Sequence, residues 1–179
     1  MLRGKFNSVN AQGASIMMTT TLISTSLTMG VGATLFMDAW TLLLKRLGVR
    51  TLDYAMLGRW VGHLVRGQLS HEAITQAQPV ANERAWGWLM HYVIGVAFAA
   101  LLLGMVGERW RLVPTLGPAL AFGLCSVLVP LCVMQPAMGA GFFASRTPAP
   151  VRNCLRSLAT HAVFGIGLFL VAWICMAAR

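Results

Sequence analysis

Charge is what this chain has least of. Only 11% of its 179 residues are Asp, Glu, Lys or Arg, and five of those are acidic. A soluble domain of this size carries about 25% charged residues. The polar surface needed to cover a globule in water is missing, which excludes an ordinary soluble domain and points to lipid as the solvent. The sequence also lacks the signatures of common enzymes. It has no Gly-x-Gly-x-x-Gly, P-loop, Gly-x-Ser-x-Gly or His-Glu-x-x-His, and nothing in it argues for an enzyme. Gly139-Ala140-Gly141 is too short for a phosphate cradle. The four cysteines, Cys125, Cys132, Cys154 and Cys175, contain no Cys-x-x-Cys pair. They form neither a disulfide framework nor a zinc site and read as small apolar residues buried in the fold.

Apolar length is what the chain has instead. Hydrophobic residues make up 57%, the mean hydropathy is +0.69, and the length suits one domain covering residues 1–179. Four runs are long enough for about 30 Å of hydrocarbon, which takes about 20 helical residues. They lie at about 22–44, 86–106, 113–134 and 157–177. Ser24, Thr25, Ser26 and Thr28 in the first can return their hydroxyls to helix carbonyls. The third holds Pro118 and Pro130, with Pro136 just beyond, so a bend or break is expected near its end. The expected fold is all-α, an integral membrane four-helix bundle. The first run is too long for the core of a signal peptide and no small-x-small cleavage site follows. The expected location is therefore the inner membrane of a bacterium, with the bilayer as first partner.

The formal charge of +9 does not indicate nucleic acid, because the basic residues cluster at the ends of apolar runs. Nine Lys and Arg fall in the connections after the first and third runs: Lys45, Arg46, Arg50, Arg59, Arg66, Arg84, Arg146, Arg152 and Arg156. Five fall on the other side: Arg3, Lys5, Arg109, Arg111 and Arg179. By the positive-inside rule both termini lie outside the cytoplasm. Arg146, Arg152 and Arg156 could bind anionic headgroups, but read chiefly as residues holding their loop inside.

The first cytoplasmic connection carries an amphipathic segment at about 52–69. Leu52, Met56, Leu57, Trp60, Val61, Leu64 and Val65 share an apolar arc, with Arg59, His63 and Arg66 opposite. This pattern suits an interfacial helix, anchored by Tyr54 and Trp60, whose Arg59, His63 and Arg66 meet lipid headgroups. A helix packed against protein is the other reading. His91-Tyr92-Val93-Ile94-Gly95-Val96 also aligns with His161-Ala162-Val163-Phe164-Gly165-Ile166, and Met37-Asp38 with Met134-Gln135. Two parallel helix–loop–helix copies would give that pattern.

Several strings recur together in this order: Gly32-Ala33-Thr34, Met37-Asp38-Ala39-Trp40, Gly58-Arg59-Trp60-Val61-Gly62-His63, Met134-Gln135-Pro136-Ala137-Met138-Gly139-Ala140-Gly141 and Ala144-Ser145-Arg146-Thr147-Pro148. As a set they resemble a family of small bacterial four-span inner-membrane proteins known as a domain of unknown function. The resemblance implies a four-span membrane protein and carries no reaction, ligand or functional residue with it.

Ionisable side chains inside a span are costly enough to be candidates for function. Asp38, His91 and His161 each fall roughly 6–9 Å in from the same side at 1.5 Å per residue, with Gln135 near that level. One polar side chain per span at one height predicts a shared interior site. Three uses of it stay open. Asp38, His91, Gln135 and His161 could lock the bundle by interhelical hydrogen bonds. An Asp–His set could relay protons or bind a metal ion, or His91 and His161 could be axial ligands of a b-type haem, with Gly95, Gly165 and Gly167 making room. A binding or accessory component is expected first, as a homo-oligomer or membrane-complex subunit. A small transporter or redox carrier is the alternative.

Overall fold

The computed structural model describes the backbone of residues 2–178 and the side chains from residue 19 onward. The side chains of Arg3, Lys5 and Arg179, counted above for topology, lie outside the described residues. Every regular element among the described residues is helical: α1 (Leu2–Arg46), α2 (Tyr54–Leu64), α3 (Glu83–Leu112), α4 (Leu116–Ser126), α5 (Gln135–Ala137) and α6 (Pro150–Ala177). Four stretches are long and apolar enough to cross a membrane: Thr19–Arg46, Glu83–Leu112, Leu116–Ala137 and Pro150–Ala177. Serine and threonine are tolerated there because the hydroxyls fold back, as Ser26 Oγ does to Leu22 O at 2.7 Å and Thr34 Oγ1 to Gly30 O at 2.7 Å.

Local chemistry sets the ends. Lys45 and Arg46 occupy the last turn of α1, where cations suit the helix dipole. Gly48 then turns left-handed at φ 77°, and Val49 N reaches back to Leu44 O at 2.9 Å. This is a Schellman ending, which favours glycine at its left-handed position. Asp53 caps α2 by accepting Ala55 N at 3.0 Å. The third apolar run breaks where proline predicts. Pro118 falls harmlessly in the first turn of α4, but Pro130 has no N–H to give. Residues Pro130–Met134 widen into a π-helical turn before α5.

Small residues set the packing. α1 lies against both α3 and α6, and α6 lies against α4. A Cβ on Gly30 would strike the backbone of Val96, and one on Gly95 would strike Thr34 Oγ1. A Cβ on Gly165 would sit 2.7 Å from Ala119 O, and one on Gly167 3.0 Å from Ala33 Cα. The aligned glycines Gly95 and Gly165 are thus both helix crossings, one of α3 on α1 and the other of α6 on α4. Met29, Ala33, Ala99, Leu102, Phe164 and Leu168 close the core between them. The cysteines are free. They do not all lie inside as read from the sequence, since Cys125 is exposed on α4, opposite the face that Gly123 presses on α6.

The amphipathic segment forms α2, and part of its polar side is buried together with Leu57 of the apolar arc. Its closest neighbour is α3, and the side against α3 is the one carrying Gly58, Arg59 and His63, all buried. Leu64 and Val65 at its end are exposed. Glycine explains the burial of the polar side. A Cβ on Gly58 would clash with Glu83 O, and one on Gly87 with Tyr54 O. Only the glycine face of α2 can come this close to α3, and Arg59 and His63 go inward with it.

Candidate functional site

The close approach of α2 to α3 brings Tyr54 over the end of α1. Asp38, on α1, is the centre of the site. Its Oδ1 accepts His91 Nε2 at 2.9 Å and the Tyr54 hydroxyl at 3.3 Å, and its Oδ2 accepts the Tyr92 hydroxyl at 2.9 Å. Tyr54 Oη also lies 3.0 Å from His91 Nε2. The carboxylate therefore joins three helices. Tyr54 and Tyr92 are the only tyrosines in the chain, and both serve one carboxylate. Trp88 stacks beside them, with its ring 4.4 Å from Tyr54, 5.9 Å from His91 and 6.3 Å from Tyr92. Burial, and next the Asp38 charge, hold the Tyr54 phenol well above the usual tyrosine range. The docked state thus keeps Tyr54 neutral. Its contribution to docking is full below about pH 10, the free tyrosine value, and fades as pH rises beyond it.

The hydrogen atoms in this cluster have two consistent arrangements. With a proton on Nε2, His91 and both tyrosines donate to Asp38. With Nε2 bare, Tyr54 donates to His91 and the carboxylate keeps Tyr92. The two differ in which ring nitrogen of His91 carries the proton and in the turn of one hydroxyl, so both fit the same heavy-atom positions.

His161 and Gln135 make no hydrogen bond to this cluster. Ser126 Oγ donates to Gly123 O at 2.7 Å, so His161 Nδ1, 2.7 Å from the same oxygen, is the donor there. His161 ties α6 to α4. Gln135 begins α5 behind the π turn, and its buried Oε1 has no protein partner. Nearby, Ala137 O and Met138 O receive His71 N at 2.8 Å and Ile74 N at 3.0 Å, joining the two long connections. The common height inferred from span lengths therefore resolves into two places. The unwound turn at Pro130 changes the rise and direction of the third span, and His161 found a hydroxyl on its own helix pair. A Ser126→Ala replacement is expected to cost about 0.6 kcal/mol, the average for such interhelical bonds, in unfolding measured in bicelles. A loss several times larger would mean that His161 does more than join two helices.

Arg59 and His63 are buried in contacts within the protein. Arg59 forms a two-pronged ion pair with Glu83, Nε to Oε2 at 2.8 Å and Nη2 to Oε1 at 2.9 Å. Its Nη1 also donates to Ala77 O at 3.1 Å and to Ile74 O and Thr75 O at 3.3 Å. The hydrogen bonds to Glu83 raise the Arg59 pKa further. His63 bonds Gln68 Oε1 at 3.0 Å and Gln78 O at 2.9 Å. These two residues fold the 65–82 connection onto α2. Arg66 alone of the three is exposed.

The porphyrin reading does not fit this geometry. Gly95 and Gly165 face helix backbone and Thr34 at contact distance, and His91 and His161 are held by different partners. Among the described residues no three His, Cys, Asp or Glu side chains gather as a metal set. Asp38 and His91 have tyrosines as their further neighbours.

Helices of this length and apolarity, with a carboxylate satisfied inside them, define an all-α polytopic membrane protein. A family model described as "Protein of unknown function (DUF2938)" matches residues 27–175, taking in α2, Asp38 and all their partners. The chain belongs to that family. A search of curated proteins and a search of solved structures found no match.

Proposed function

We propose that this protein is a non-enzymatic binding or accessory component of the bacterial inner membrane, with the α2 end facing the cytoplasm and both termini outside. The observation that carries the reading is the saturation of Asp38. Its carboxylate is filled by three donors of the same chain, which suits a clamp holding α2 on the spans better than an open ligand site. A rigid cap of this kind is a surface for another protein. Ala97 and Ala100 stay exposed on α3, whereas Gly30, Ala33, Gly95, Ala99, Gly165 and Gly167 are used in contacts inside the fold. They leave a face on which a second copy or another subunit can pack closely. Purification in mild detergent is expected to yield a constant-stoichiometry oligomer or complex. A monomer free of partners at every detergent and salt concentration would overturn the reading.

A proton carrier is the second reading, supported by the two hydrogen-bond arrangements around His91 Nε2. It is tested in vesicles loaded with a pH dye. A carrier loses proton flux on Asp38→Asn, and a clamp shows none in either form. Orientation follows from nine Lys and Arg at the α2 end against five at the other. A reporter active only outside the cytoplasm is expected to work at Glu108 and stay silent at Gln76 and Thr147. The opposite pattern would reverse the topology.

A further inference from the structure

We propose that the cleft between the end of α1 and the start of α6 holds one anionic phospholipid, its phosphate on Arg152 and Arg156. The cleft measures about 600 Å³ and is walled by Trp40, Leu44, Leu155 and Ala159, with the two arginines at its edge. They stand four residues apart on α6 and so share a face. Neither has an acidic partner. Of the five acidic residues, Asp38 serves the tyrosine–histidine cluster, Asp53 caps α2, Glu83 holds Arg59 and Glu108 holds Arg111. Glu72 is exposed in the 65–82 connection. Two unpaired guanidinium groups beside an apolar cleft match a negative headgroup above acyl chains. A second observation concerns Trp40. Its ring forms part of the cleft wall, while its Nε1–H is closed off from the cleft and has no acceptor among the described residues. A tryptophan ring at that level suits the headgroup boundary. The apolar walls favour a lipid over free phosphate.

The test uses the full chain in an uncharged detergent, titrated in native mass spectrometry with phosphatidylglycerol, phosphatidylcholine and glycerol phosphate. Phosphatidylglycerol is expected to bind at one saturable site. Arg152→Gln with Arg156→Gln is expected to weaken it roughly 25-fold, about five-fold per charge. Arg109→Gln, an exposed arginine at the opposite end of the spans, should leave it unchanged. Equal binding of phosphatidylcholine, or no loss in the double variant, overturns the proposal. Saturable binding of glycerol phosphate at the same strength makes the cleft a phosphate site and overturns it as a lipid site. Should the double variant not fold, the intact protein is read in nanodiscs with lipids brominated on the acyl chain. Quenching by brominated phosphatidylglycerol above that by brominated phosphatidylcholine, and its fall in Trp40→Phe, are expected. Equal quenching by both lipids overturns the proposal.

Discussion

Replacing Asp38 with alanine is expected to loosen α2 from the spans by about 3 kcal/mol, the cost of leaving buried donors without their acceptor. Three donors converge on this carboxylate. Tyr54 and His91 can still bond each other at 3.0 Å, so the heaviest loss falls on Tyr92. Asp38→Asn keeps an acceptor oxygen and the side-chain shape, and is expected to cost less than half as much. Tyr92→Phe removes one donor and leaves the carboxylate two, which places it near 1 kcal/mol. Hydrogen exchange across Tyr54–Leu64 reads the order directly, with the alanine variant opening about 100-fold more often than the parent, since each 1.4 kcal/mol is tenfold. Equal protection of α2 in all three variants would show that Asp38 does not clamp it.

The sequence made part of this site legible and hid the rest for physical reasons. Asp38 and His91 stand out because a titratable group in a span needs a partner, and in the structure each is the other's. Tyr54 could not be placed by the same argument. It lies in a separate helix, and hydropathy treats an interfacial tyrosine and a buried one alike. A signal was present in the count of tyrosines, since a chain with six tryptophans, eight phenylalanines and only two tyrosines spends its phenols sparingly. A helical wheel separates the apolar from the polar side of α2 without showing that Leu57 of one and Arg59 and His63 of the other both meet protein. Gly58 and Gly62 lie on the Arg59–His63 side, and glycine marks the side where backbones approach. The partner of Arg59 was Glu83, distant in sequence but one of only five acidic residues able to pair with it. Gln135 was placed by counting regular helical rise through a segment that prolines had unwound.

Gly87→Ala is expected to have the largest effect on α2 of any single methyl. In an exposed helix interior this change would stabilise by about 1 kcal/mol. Here the sign reverses. The added carbon would fall on Tyr54 O, while the mirror position, Gly58, already faces Glu83 O. Both obstacles are backbone, so no rotamer change relieves them, and α2 must move away as a unit. Moving it breaks more than one contact. Tyr54 leaves Asp38 and His91, and Arg59 leaves Glu83, with which it makes two charge-assisted hydrogen bonds. The Arg59 bonds to Ile74 O, Thr75 O and Ala77 O go with it, which frees the 65–82 connection. Limited proteolysis is expected to cut that connection in Gly87→Ala and to spare the parent protein, with the spans themselves intact. Gly104→Ala is the matched control: it lies in the same helix with nothing within 4 Å of an added Cβ, and is expected to be as resistant as the parent or more so. If Gly87→Ala resists cleavage as the parent does, the close crossing of α2 on α3 is not what holds the cap, and the clamp at Asp38 must act without it.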